Sequence, residues 1–375
     1  MERDGAGAPG TLRSRYGATD WGLFVAALGL SLVGALLVWS ATRESVGAAL
    51  AVRHLVNAGI GLVLALAVVA VDVRWLRATA PWIYLAGLAG LGLVLSPVGQ
   101  TVNGSRSWLF LPGGFSLQPA ELAKIGLVIG LAMILAEGRD PFRPPQWRDV
   151  VLAWLLAAVP VGLILLQPDL GSALVLGMLT IGVVAASGAS WRWTAAALAG
   201  TVAAVVAAIR VPLLDPYQVN RLLAFRDPTL DPQGIGYQTR QVRLAIGSGG
   251  WSGTGLGQGP QTQGGFIPFQ ETDFIFSVAG EELGFLGALG LVLLLGFLVV
   301  RAFLVGLRSD DPFGRLVAVG VGSWLAFQTF ENIGMNLGLM PVTGLPLPFL
   351  SYGGSSMLAC WLAVGLVASA QRGGR

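Results

Sequence analysis

Apolar residues in this chain fall in long unbroken runs, with no strand-like alternation over them and polar residues gathered between them. A helical run of about twenty apolar residues matches the hydrocarbon thickness of a bilayer. Ten such runs are read as transmembrane helices: Trp21–Ser40, Leu55–Val71, Pro81–Val98, Ala120–Ala136, Val150–Leu166, Leu170–Ser187, Trp193–Val211, Phe274–Phe303, Phe313–Leu337 and Phe349–Ala370. The eighth is long enough to tilt or to extend past the bilayer. The first follows basic residues, as a secretion signal does. It is too long for a signal core and shows no small-residue cleavage site, so it reads as a span. The pattern predicts an all-α fold: a polytopic membrane helical bundle of about ten transmembrane helices, one integral domain over residues 1–375.

Composition agrees. Of 375 residues, 54% are hydrophobic and 11% charged, where a soluble domain carries roughly 25% charged residues. Mean hydropathy is +0.71. The 54 glycines suit close helix approach in a membrane. The net charge of +3 comes from scattered arginines, so nucleic acid is not a predicted partner. One cysteine, Cys360, excludes a disulfide within the chain, and no zinc-ligand spacing occurs. The single histidine, His54, sits at the edge of an apolar run and reads as interfacial.

Charge sets the predicted orientation. With the N-terminus in the cytoplasm, fourteen arginines lie on the inner side and eight on the outer side, and five of those eight lie in or beside one long loop. Short cytoplasmic loops carry the excess of positive charge in membrane proteins. Both termini are therefore expected in the cytoplasm. Lys124, the only lysine, lies inside the fourth run, where a compact ammonium differs from a guanidinium fork.

The predicted outer face carries two polar loops, residues 99–119 and 212–273. Loops of that length tend to be functional. The longer one holds a predicted short helix, Tyr237–Ile246, and a glycine-rich stretch, Gly247–Gly259. That stretch lacks the spacing of a nucleotide loop. It predicts backbone packed closely against a ligand or the membrane surface. Gln118-Pro119-Ala120-Glu121 and Gln167-Pro168-Asp169-Leu170 open two spans on this side. Proline and a carboxylate both suit a first helical turn, which accounts for Asp169. Glu121 and Lys124 are three residues apart on one helix face, and such charges in a span face the bundle interior or a polar cavity. Asp273 ends the long loop beside Glu271, Glu281 and Glu282, as a capping carboxylate or a reactive one. Glu331, Asn332 and Asn336 read as interhelical hydrogen-bonding residues, and Gly126–Gly130 as a close-packing pair.

Together these segments resemble the SEDS family, the RodA and FtsW proteins. The resemblance is carried by Asn103-Gly-Ser-Arg-Ser-Trp-Leu109, Gln118-Pro-Ala-Glu-Leu-Ala-Lys124, Gln167-Pro-Asp-Leu-Gly-Ser172, Asp231-Pro-Gln-Gly-Ile-Gly-Tyr237, Gln241 and Thr272-Asp-Phe-Ile-Phe-Ser277. It continues through Asn332-Ile-Gly-Met335 and Pro346-Leu-Pro-Phe-Leu-Ser-Tyr-Gly-Gly-Ser355. Gln167 before Pro-Asp, and Gln261-Thr-Gln before Phe266-Ile-Pro, look more like RodA than FtsW. Glu271 stands where the family often has His.

The resemblance implies a peptidoglycan glycosyltransferase that polymerises lipid II into β-1,4 glycan during elongation, with release of undecaprenyl diphosphate. An inverting transfer calls for a base opposite the leaving group, and the matching position is Asp273. Arg106, Arg221 and Lys124 are candidates to neutralise the diphosphate, Glu121 to orient Lys124, and Trp108 and Gln241 to bind substrate. No protein-ligated metal is predicted, although a divalent cation could share the neutralisation. The implied partner is a class B penicillin-binding protein, a transpeptidase whose membrane helix fits apolar faces on the eighth and ninth spans. A lipid flippase and a non-catalytic scaffold are the rival readings. Polar residues crowded at one face speak against the first, and the large polar loop ending in Asp273 against the second.

Overall fold

A computed structural model of the chain describes residues 19–102, 104–111, 115–136, 145–210 and 234–372. The first seven apolar runs form α1 (Trp21–Thr42), α2 (Ala49–Ala70), α3 (Val73–Leu95), α4 (Pro119–Ala136), α5 (Trp147–Leu165), α6 (Leu170–Ala186) and α7 (Trp191–Arg210). The long loop contains α8 (Ile235–Ser248) and α9 (Pro260–Gln263). The eighth run divides into α10 (Ile275–Glu282) and α11 (Gly284–Arg308), and α12 (Pro312–Leu337) and α13 (Gly354–Ala370) complete the bundle. Among the described residues, six helices are long and apolar enough to cross a membrane, and α6 and α13 are shorter apolar helices.

The bundle is apolar outside and polar at chosen points within. Val25, Leu32, Leu36 and Leu293 are exposed, whereas Glu121, Lys124, Gln328, Glu331, Asn332 and Asn336 are buried. Hydrocarbon solvates the first set, and the second must find partners inside the protein. The chain is a multi-pass membrane protein. α4 lies at the centre, with 78% of its span buried against 22% for α3. Small residues let helices approach. A Cβ on Gly126 would stand 3.1 Å from the Tyr84 Cα, and one on Gly61 would strike the Trp361 side chain.

Three expectations change. α2 begins at Ala49, so His54 lies inside the helix and is buried, not interfacial. Pro81 falls inside α3 instead of opening a span. Membrane helices tolerate this because neighbouring groups satisfy the freed carbonyl. The eighth run is two helices, broken at Leu283–Gly284, where Gly284 takes φ 67°.

The glycine-rich stretch covers that break and packs against the protein's own backbone. Thr254 N donates to Glu281 O at 3.0 Å and Gly255 N to Glu282 O at 3.1 Å. Phe285 N donates to Gly250 O at 2.9 Å. A Cβ on Gly249 would lie 1.9 Å from Gly280 O. The carboxylate of Glu281 accepts from Gln261 N, Thr262 N and Thr262 Oγ1, and Glu282 accepts from Ser40 Oγ at 2.6 Å. Both acids hold the loop.

The described residues between 99 and 119 form strands where the sequence reads as a loop. β1 (Gln100–Val102), β2 (Ser105–Leu111) and β3 (Phe115–Leu117) form an antiparallel sheet in the order β1-β2-β3. Ser105 Oγ donates to Gln167 O at 2.7 Å, and Gln118 N donates to Ser355 Oγ at 2.9 Å. These bonds dock the sheet on the ends of α4, α6 and α13.

Candidate functional site

A cleft of about 210 Å³ opens between the sheet and the ends of the helices. Ser105, Ser107 and Trp108 of β2 form one wall, and Gln118, Pro168 and Asp169 a second. Phe269, Thr272 and Asp273 face them, with Thr343, Gly344, Pro346, Tyr352, Gly353 and Ser356 closing the remainder. Three aromatic residues, Trp108, Phe269 and Tyr352, and several hydroxyls beside carboxylates suit a sugar-binding surface, apolar on ring faces and polar at their edges.

Asp273 is presented by a tight turn. Thr272 N, Asp273 N and Phe274 N all donate to Phe269 O, at 3.2, 3.1 and 3.3 Å. The turn is tied to its neighbours. Tyr352 N donates to Glu271 O at 2.8 Å and Ser351 Oγ to Thr272 O at 2.5 Å. Asn332 Nδ2 and Asn336 Nδ2 donate to Asp273 O at 2.9 and 3.3 Å. In sequence the two asparagines read as bonding between helices; what they bond is the backbone of the candidate base in its turn.

Asp169 caps α6. Its carboxylate accepts from Ser172 N and Ser172 Oγ, and from Gln118 Nε2 at 3.2 Å. It therefore caps and lines the cleft at once.

Glu121 and Lys124 form a buried pair on α4, with Nζ donating to Glu121 Oε1 at 2.7 Å. Nζ also donates to Gln328 Oε1 at 2.9 Å and lies 4.7 Å from the centre of the Trp324 ring. Neither residue lines the cleft. The Lys124 ammonium is engaged by Glu121 and Gln328. Arg106 is engaged likewise. Its guanidinium donates to Ser96 O at 2.6 Å and Gly99 O at 3.3 Å, securing the strand, and it does not line the cleft. Gln241 is half-buried on α8 and also stands apart from the lining. Arg221 lies outside the described residues. Trp108 and Asp273 are the candidates the fold brings together.

Sequence reasoning passed over Gln328. It lies four residues before Asn332 and eight before Asn336, a helical repeat of amides on an otherwise apolar element. It also passed over Tyr352 and the hydroxyls of Thr272, Thr343 and Ser356, which single positions do not distinguish from loop residues.

The family model of the FtsW, RodA and SpoVE cell cycle proteins matches residues 20–375. The chain belongs to this family. It is 42% identical to a probable peptidoglycan glycosyltransferase FtsW of Halorhodospira halophila, over 84% of this chain and 79% of that one. It is 35% identical to the peptidoglycan glycosyltransferase MrdB of Escherichia coli K12, over 91% and 90%. Among solved structures, a chain of a peptidoglycan synthase complex that coordinates polymerization and crosslinking matches with TM-score 0.80 and 38% identity, covering 94% of this chain and 98% of that one. The rod shape determining protein RodA of Thermus thermophilus matches with TM-score 0.71 and 35% identity, over 94% and 97%. Curated FtsW/RodA relatives carry glycosyltransferase names, and the resemblance seen in the loop motifs extends along nearly the whole chain.

Proposed function

We infer that this FtsW/RodA family member is a peptidoglycan glycosyltransferase in which Asp273 is the general base. The carrying observation is the position of Asp273: on a fixed turn, facing a polar and aromatic cleft shared with Trp108 and Asp169. The donor is a lipid-linked disaccharide diphosphate and the acceptor a glycan 4-hydroxyl. Asp273 takes the hydroxyl proton as the oxygen attacks the anomeric carbon. The bond from that carbon to the diphosphate oxygen breaks on the opposite face, and the configuration inverts. Diphosphate needs counter-charge more than a proton to leave. Asp169 and Asp273 are the only charged residues among the described cleft-lining ones. Counter-charge is therefore assigned to Lys124 acting from below and to Arg221. A divalent cation could add to it. Among the described residues no group of three or more His, Cys, Asp or Glu could hold a metal ion, and the roles of Asp273 and Lys124 do not depend on one.

The amphipathic substrate puts its prenyl chain in lipid and its sugars in water, so a cleft at a bundle end suits it. The arginine asymmetry supports cytoplasmic termini and an extracytoplasmic cleft. The solved relative in a synthase complex supports a cross-linking partner, a class B penicillin-binding protein. The RodA-like motifs support a role in elongation.

The test is glycan synthesis by purified Asp273→Asn beside wild type, with partner present. The substitution keeps shape and removes the base. A loss of about 10²–10⁴-fold is expected. Product at the wild-type rate removes Asp273 as base. A flippase needs no base at an acceptor hydroxyl, so retained lipid transport with no polymerisation by wild type would favour that rival.

A further inference from the structure

Three amides stand in register along one face of α12, and each is buried. Gln328 Oε1 accepts from Lys124 Nζ at 2.9 Å and from Trp324 Nε1 at 2.6 Å, while its Nε2 donates to Pro346 O at 2.7 Å. Asn332 Nδ2 donates to Leu345 O at 2.7 Å and to Asp273 O at 2.9 Å. Asn336 Nδ2 donates to Asn332 O at 2.8 Å and to Asp273 O at 3.3 Å. An amide nitrogen has two protons, and those of Asn332 go to two different cleft walls: the turn carrying Asp273 and the segment ending in Pro346. The helix is the rigid post between them.

We propose that Asn332 is a positioning residue for Asp273, with Asn336 as its second support, fixing the base against the Leu345–Pro346 wall. Neither amide is among the residues lining the cleft. The proposal rests on the reading of Asp273 as base. Its physical ground is the sensitivity of proton transfer to placement: a displacement of about 1 Å lowers rate by roughly 10²-fold. Without Asn332, Asp273 O loses the shorter of the two asparagine bonds, and the turn loses its tie through that amide to Leu345. Gln328 extends the row to Lys124, so the candidate base and the buried ammonium are referenced to one helix.

The experiment measures glycan polymerisation against lipid-linked substrate concentration for purified wild type, N332A, N336A and D273N, together with thermal unfolding of each in detergent. N332A is expected to lower kcat at least tenfold with KM within about twofold of wild type, because the groups that bind substrate are untouched. N336A is expected to lower kcat less, since the 2.9 Å bond remains. Three results overturn the proposal. N332A at wild-type kcat while D273N is inactive removes positioning and leaves the base. D273N at wild-type rate removes the base and the proposal with it. Should N332A unfold, N336A decides: equal loss in kcat and substrate affinity, or an unchanged kcat, makes the row a structural strut only.

Discussion

Lys124 is wholly buried, and Glu121 beside it is 1% exposed. Glu121 Oε1 takes the ammonium, and Glu121 Oε2 has no hydrogen-bond partner among the described residues. Two charges in a low-dielectric interior are costly unless paired, and removing one partner leaves the other stranded, at about 3–5 kcal/mol. Lys124→Met is therefore expected to lose stability as well as polymerisation. Replacing the pair together, Glu121→Gln with Lys124→Met, should recover the unfolding temperature without recovering activity if the positive charge serves the reaction. Recovery of both would make the pair structural. Lys124→Arg should also be impaired, because a planar fork cannot take the place of a point charge held by Glu121, Gln328 and the Trp324 face. Glycan yield and a melting curve for each variant check all three.

The break between α10 and α11 is the element on which the long loop depends. A membrane helix that stops in mid-run leaves carbonyls and N–H groups without partners, and the glycine-rich stretch supplies them through Thr254, Gly255, Gly250 and Trp251. Contact this close excludes side chains. Gly249→Ala would place a methyl group 1.9 Å from Gly280 O, so the break must shift, and α10 begins two residues after Asp273. A loss of about 1–3 kcal/mol is expected, with reduced activity. Gly247→Ala meets nothing within 4 Å and lies in α8. It should leave stability unchanged or raise it by up to about 1 kcal/mol. Thermal unfolding of the two variants in detergent compares them directly, and equal behaviour would show that the loop does not brace the break.

At the scale of the molecule, orientation decides which compartment the cleft faces. Ser252 is exposed in the glycine-rich stretch, and Cys360 is buried. In a Cys360→Ala background, Ser252→Cys is expected to react with a membrane-impermeant thiol reagent added to cells with an opened outer envelope. Labelling only from the cytoplasmic side would reverse the topology and place the cleft away from an extracytoplasmic substrate.

The sequence by itself determined the membrane class, most of the spanning helices and the family. Insertion depends on local hydropathy over about twenty residues, a property any window of the chain displays, and the loop motifs lie in continuous segments. It also marked Trp108 and Asp273, which the fold brings to one cleft. The helix in the long loop was legible as Tyr237–Ile246 and proved slightly longer. What the tertiary structure decided is which polar groups meet. Glu281 and Glu282 sit near Asp273 in sequence, yet they brace the loop, because Thr262 and Ser40 come to them from elsewhere. Arg106 reads in sequence as a phosphate ligand, and the strand turns its guanidinium onto the carbonyls of Ser96 and Gly99. Asp169 meets Gln118 and Asn332 meets Asp273 across gaps of 51 and 59 residues. Hydropathy specifies that a helix spans; its rotation and the return path of its loops follow from packing against helices distant in sequence, and those fix the direction of every buried amide and carboxylate.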